Sequence, residues 1–142
     1  FYPAYLAWAE FPLPQWARWL GTLLSIASLV LLWWVQWALD IHFDTTLHVQ
    51  AEHKLVTHGP YRWVRHPMYT SLFLMGLGFL LLTANGMVGG LMLASVALLV
   101  WVRLRGEENL LIDTFGEQYR EYMQRTGRFL PKLGPGAGST VD

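Results

Sequence analysis

The chain has 142 residues, of which 54% are hydrophobic and only 14% charged, with eight Trp; soluble domains carry about a quarter charged residues, so the solvent expected here is lipid. Ten basic and ten acidic side chains cancel, which removes the bulk electrostatic case for a nucleic-acid partner. With no cysteine there is no disulfide, thiolate nucleophile or cysteine metal site, and no metal is expected. The composition predicts an all-α integral membrane protein with a single domain.

Residues 1–18 are rich in aromatic side chains and proline, among them Tyr5, Trp8, Phe11, Pro12 and Pro14. They lack the basic start, apolar run and small-residue cleavage site of a signal peptide, so they are expected to be an interfacial lead-in with further membrane segments upstream. Residues 19–39 contain no charge, and such a run of about 20 matches the length of a spanning helix. Arg18 and Asp40 bracket it, and Trp16, Trp19, Trp33, Trp34 and Trp37 sit like aromatic belts near its two ends. Residues 40–66 are polar, with Asp44, His48, Glu52, His53, Lys54, His58 and Arg62, and Gly59-Pro60 marks a turn.

Residues 67–102 are again uncharged but too long for one ordinary span, and Thr83-Ala84-Asn85-Gly86 interrupts them. A helical hairpin with arms of about 17 residues follows, at the short end of the spanning range. Gly76 and Gly78 on the first arm suit close helix contact. Residues 103–131 open on Arg103, Arg105, Glu107 and Glu108, and the spacing of Leu111, Phe115, Tyr119, Tyr122 and Met123 predicts one amphipathic helix from Glu107 to Met123, ending near Gly127. Residues 132–142, with Gly134-Pro135-Gly136, read as a flexible tail. About three transmembrane helices are therefore expected. Basic residues concentrate in 40–66 and 103–142, so the positive-inside rule predicts that both segments are cytoplasmic and the hairpin tip at Asn85 lies on the other side.

Three clusters carry the candidate chemistry. In Gly59-Pro60-Tyr61-Arg62-Trp63-Val64-Arg65-His66-Pro67-Met68-Tyr69, Pro67 keeps His66 out of helical angles and suits a first helical turn. The free N–H groups there, with Arg65 and His66, make a seat for a carboxylate or phosphate; composition alone favours a plainer role, basic and aromatic anchoring at the lipid boundary. In the second cluster Arg103 and Glu107 stand four apart on one helix face, either as an ordinary ion pair or as ionisable groups kept at a membrane boundary for a ligand. The third, Phe115-Gly116-Glu117-Gln118-Tyr119 with Tyr122, Arg125, Thr126, Arg128, Phe129 and Pro131, taken singly is a packed helix face and a charged end.

Together, in order, His53-Lys54-Leu55-Val56, Gly59-Pro60-Tyr61, Arg65-His66-Pro67-Met68-Tyr69, Arg103, Glu107-Glu108, Phe115-Gly116-Glu117-Gln118-Tyr119 and Arg125-Thr126-Gly127-Arg128 resemble the isoprenylcysteine carboxyl methyltransferase family over residues 53–131. The chain departs from that family in having Arg105-Gly106 and only two Glu where members often carry three or four acidic residues. The resemblance implies a membrane methyltransferase that uses S-adenosyl-L-methionine and releases S-adenosyl-L-homocysteine. By it, His53, Lys54, Leu55, Val56 and Tyr61 would hold the nucleoside, and His66, Pro67, Met68 and Tyr69 would line the cofactor. Glu107, with Glu108 beside it, would take the ammonium. Arg103 would face the methyl acceptor and, with Arg65, is the catalytic candidate.

The implied partner is a lipophilic small molecule or lipidated substrate reached from the membrane lipids, most simply a carboxylate of isoprenylcysteine type. A carboxylate is already a nucleophile and a sulfonium a good leaving group, so alignment rather than a strong base is required. Three alternatives stand beside it: methylation of a phospholipid amine or small thiol, an NADPH-dependent membrane reductase like some sterol reductases, and a non-catalytic membrane protein.

Overall fold

The structure, a computed structural model, describes residues 8–40 and 55–134. Helix α1, Gln15–Asp40, begins one residue after Pro14 and runs through the first uncharged stretch. Its 26 residues cover about 39 Å at 1.5 Å each, more than a hydrocarbon core of about 30 Å. It starts four residues before the expected span because nothing after Pro14 stops it: Arg18 is tolerated on an exposed face near the end.

A single 3₁₀ turn, Gly59–Arg62, precedes helix α2, Pro67–Thr83, whose first residue is the proline that suits that position. The helix ends at Ala84 in the left-handed conformation (φ 51°), and Asn85 starts the next one, its side chain accepting from Met87 N at 3.0 Å and Val88 N at 3.1 Å. Thr83-Ala84-Asn85-Gly86 is thus the hairpin tip. The lead-in folds back on it: Phe11 N donates to Ala84 O at 3.0 Å, and Glu10 pairs with Asn85 in an isolated bridge.

Helix α3, Gly86–Phe115, returns antiparallel to α2 and continues well past the apolar run. The amphipathic helix expected over Glu107–Met123 is not one piece. α3 carries on to Phe115, Gly116 takes φ 56° and ψ −124°, a region open to glycine, and α4 follows as Glu117–Arg125. The 3.6-residue spacing survives the break because Phe115 on one side and the buried Tyr119 and Tyr122 on the other still face the same interior. Among the described residues there is no strand, and two helices, Gln15–Leu39 and Gly86–Phe115, are long and apolar enough to cross a membrane; the 17-residue α2 is a shorter apolar helix.

α1 and α2 pack through backbone. A Cβ placed at Gly21 would lie 2.7 Å from Leu82 N and 2.8 Å from Gly78 O, so the two helices meet where both lack side chains. Gly76 faces the other way, and a Cβ there would meet Leu93 of α3 at 2.7 Å. The core between α2 and α3 is Tyr69, Val96, Val100 and Leu104, with Phe73 and Phe129 against it. Leu23, Ile26, Val30 and Trp33 of α1 and Leu91, Leu98 and Trp101 of α3 are exposed. An outside this apolar suits hydrocarbon, not water.

Candidate functional site

The hairpin returns α3 to the level of the α2 start, and one backbone bridge with several side-chain hydrogen bonds joins the 61–70 segment to residues 122–129. Val64 and Gly127 form a parallel bridge, with Arg65 N donating to Gly127 O at 2.8 Å, His66 N to Arg128 O at 3.1 Å, and Gly127 N to Trp63 O at 3.2 Å. Residues 126–130 therefore lie as a strap along residues 63–66. The Tyr122 hydroxyl donates to Tyr61 O at 2.6 Å, and the Thr70 hydroxyl to Phe129 O at 2.7 Å. Arg65 Nη1 donates to Met123 O at 2.9 Å and Thr126 O at 3.0 Å. A guanidinium there satisfies carbonyls at the end of α4, where a helix terminus favours a cation.

Glu108 is the centre of an ionic knot. Its Oε2 accepts from Arg128 at 2.9 Å, while its Oε1 lies 3.3 Å from His66 Nε2 and 3.6 Å from Arg65 Nε. The anion seat expected from Arg65 and His66 is thus occupied from within, by a carboxylate of the same chain. Glu107 points elsewhere: its Oε1 accepts from the Tyr69 hydroxyl at 2.8 Å and lies 3.4 Å from Arg103 Nε.

Tyr61, Arg65, His66, Met68, Tyr69 and Glu107, with Leu110 and Leu111, line one cavity of about 270 Å³, close to the lower end of small-molecule pockets at about 300 Å³. Six of the sequence-predicted residues therefore meet around it. Pro67 and Glu108 are buried behind its wall, Arg103 is exposed beside Glu107, and Leu55 and Val56 are half-buried away from the lining. His53 and Lys54 lie outside the described residues. The sequence pattern marks Leu111 only as part of an amphipathic face and Leu110 not at all, although they follow Glu107 at i+3 and i+4 and so share its helix face. Tyr122 stands in that pattern as a packed helix face and Arg128 in the charged end and the Arg125-Thr126-Gly127-Arg128 motif, neither with a partner in the 61–69 segment or in Glu108. Their contacts span about 60 and 20 residues of chain, and no local pattern marks those pairings.

Burial, reinforced by the Glu107 charge, pushes the Tyr61 phenol up to about 12, so this ring stays neutral. Burial lowers the His66 imidazole below its ordinary value, with the Arg65 charge acting the same way and the Glu108 hydrogen bond and the charges of Glu108 and Glu107 opposing. A neutral ring that hydrogen-bonds an ionised carboxylate through Nε2 carries its proton there. Burial also raises Tyr119 and Tyr122, and the Tyr119 hydroxyl, beside the knot, has no hydrogen-bond partner among the described residues. Chemically, the cavity offers one accessible carboxylate, neutral aromatic faces, a thioether and aliphatic walls, with the first turn of α2 at its edge.

The family model described as the isoprenylcysteine carboxyl methyltransferase (ICMT) family matches residues 19–113. The human protein-S-isoprenylcysteine O-methyltransferase is 41% identical over 83 residues, covering 56% of this chain and 28% of that protein. The protein of the same name from Tribolium castaneum is 35% identical over 85 residues, covering 57% of this chain and 29% of that protein. A solved structure of the eukaryotic intramembrane Ras methyltransferase ICMT aligns with a TM-score of 0.68 and 28% identity, over 82% of this chain and 42% of that one. The chain thus spans less than half the length of these relatives.

Proposed function

Since the chain belongs to the isoprenylcysteine carboxyl methyltransferase family, we propose that it carries the cofactor-binding part of an S-adenosylmethionine-dependent membrane methyltransferase whose acceptor is a lipophilic carboxylate of isoprenylcysteine type. The observation that carries this reading is the meeting of Tyr61, His66 and Tyr69 with Glu107 around one cavity at the end of the α2–α3 hairpin.

The cavity's donor set fits the cofactor. Glu107 is a third exposed and already accepts from one hydroxyl, which orients it for an ammonium. The free N–H groups in the first turn of α2, at Met68 and Tyr69, suit the carboxylate of the same amino-acid moiety. The neutral Tyr61 ring and the Met68 and Leu111 side chains suit the nucleoside and the cationic sulfur. His53, Lys54, Leu55 and Val56 would extend the nucleoside wall, and Arg103, exposed one turn before Glu107, would face the acceptor. Arg65 acts as a wall residue whose charge is held by Glu108. When bound, the cofactor would supply a methyl group on a sulfonium, so transfer to an acceptor carboxylate requires no proton to be removed. The residues of this chain then have to hold and align.

Support for a cytoplasmic cofactor entrance comes from charge: Arg62, Arg65, Arg103, Arg105, Arg125 and Arg128 collect at the cavity end of the helices, and Arg18 stands near the other end. On this reading α2 is the third membrane helix, and the acceptor reaches the site from the lipid. The NADPH alternative is disfavoured because the cavity's one lining arginine, Arg65, is spent on Met123, Thr126 and Glu108. The test is calorimetry with S-adenosylhomocysteine on the detergent-solubilised full chain. Wild type should bind and Glu107→Ala should bind at least tenfold more weakly; a wild-type chain that takes up none ends the proposal.

A further inference from the structure

Arg128 is absent from the cavity lining, yet it holds a cavity residue from two directions. Its carbonyl accepts from His66 N at 3.1 Å, and its guanidinium, half exposed, donates to Glu108 Oε2 at 2.9 Å. The other oxygen of that carboxylate, Oε1, is the one beside His66 Nε2. Glu108 is thereby pinned from the strap on one side and presents its remaining oxygen to the imidazole on the other. Phe129, the next strap residue, lies over the same ring at 6.2 Å between centroids, and its carbonyl is tied to Thr70.

Resting on the proposed cofactor site, we infer that Arg128 is a positioning residue for it: acting through Glu108, it fixes the place and the tautomer of the His66 ring on the cavity wall without touching the ligand.

The charges around His66 give this a signature that simple fold-holding lacks. α3 contributes Glu107 and Glu108, the ring's own segment contributes Arg65, the strap contributes Arg128, and Tyr69 of α2 stands neutral at 5.8 Å from the ring. While two guanidiniums share Glu108, its attraction for a second proton on the imidazole is divided. Removing Arg128 frees Oε2 and leaves the carboxylate more fully available to an imidazolium. The ring then gains a proton at higher pH, and its neutral tautomer is lost from the wall sooner as pH falls.

The experiment uses the full chain in detergent as wild type, Arg128→Ala, Arg128→Gln and Arg128→Lys. The His66 imidazole is titrated by NMR without ligand, assigned by its disappearance in His66→Gln, and S-adenosylhomocysteine affinity is measured at pH 6 and pH 8. Arg128→Ala should raise the His66 midpoint by about one pH unit and weaken binding roughly tenfold, more at pH 6 than at pH 8. Arg128→Lys, which keeps the charge, should return most of both. If Arg128→Ala does not fold, Arg128→Gln against Arg128→Lys gives the same comparison. A neutral variant that melts lower but titrates and binds like wild type overturns the inference, as does a lysine variant no better than the glutamine one. Wild type that binds no S-adenosylhomocysteine removes the proposed function alone, because the ligand-free titration still decides whether Arg128 governs the ring.

Discussion

Glu107 and Glu108 are adjacent in the chain and serve different structures: Glu107 Oε1 accepts from Tyr69 at the cavity, and Glu108 accepts from Arg128 and His66 behind it. Successive residues of an α-helix point about 100° apart, so one carboxylate can face a ligand only if its neighbour faces something else.

The two carboxylates should separate experimentally. Glu107→Gln removes a charge from a lining side chain and should weaken S-adenosylhomocysteine at least tenfold with little change in melting temperature. Glu108→Gln leaves Arg65 buried without its counter-charge and should cost about 3 kcal/mol of stability, at the lower end for a broken buried pair because Arg128 is half exposed. Denaturation and calorimetry on both variants check this; equal melting temperatures would contradict the division of labour.

Acidification should destabilise the site through His66. Its folded-state value lies below the ordinary one, so the unfolded chain binds more protons between that lowered value and about 6.5. Stability is therefore complete above about 6.5 and is lost as pH falls through this window. Melting temperatures in detergent at pH 7.5, 6.5 and 5.5 should decline for wild type, and His66→Gln, which keeps a donor for Glu108, should show a flatter profile.

Helix packing should be intolerant at one glycine, Gly21 where α1 meets α2, and permissive at another, Gly90 of α3. Gly21→Ala would place a carbon within 2.9 Å of backbone and side-chain atoms of α2, and such overpacking costs about 1–3 kcal/mol. Nothing lies within 4 Å of a Cβ at Gly90, so Gly90→Ala should be neutral or stabilising by up to about 1 kcal/mol. Thermal denaturation of the two variants tests the α1–α2 contact, with Gly90→Ala as the control, and similar melting points would argue against it.

The hairpin tip depends on Asn85, whose side chain is fully buried and accepts from the first two N–H groups beyond Gly86. Asn85→Ala should cost about 1 kcal/mol, the usual worth of such a cap, while Asn85→Ser, which keeps an acceptor, should recover part of it. Ligand affinity should stay close to wild type because the tip is at the far end of the hairpin from the cavity.

The amino-acid sequence by itself determined where the helices run and where the chain turns. Charge is missing over 19–39 and 67–102 because hydrocarbon excludes it, and Pro67 and Ala84-Asn85 act on their own backbone within a few residues; the break at Gly116 did not show in the spacing, which runs through it. It also placed Tyr61, His66, Tyr69 and Glu107 in one family pattern. Only the tertiary structure decided which glutamate meets the cavity, that Arg65 is turned inward to α4, and that residues 126–130 strap the site together. Those outcomes depend on contacts between residues 20 to 61 apart in the chain, and such contacts follow from how helices pack and return, a long-range property that local spacing does not encode.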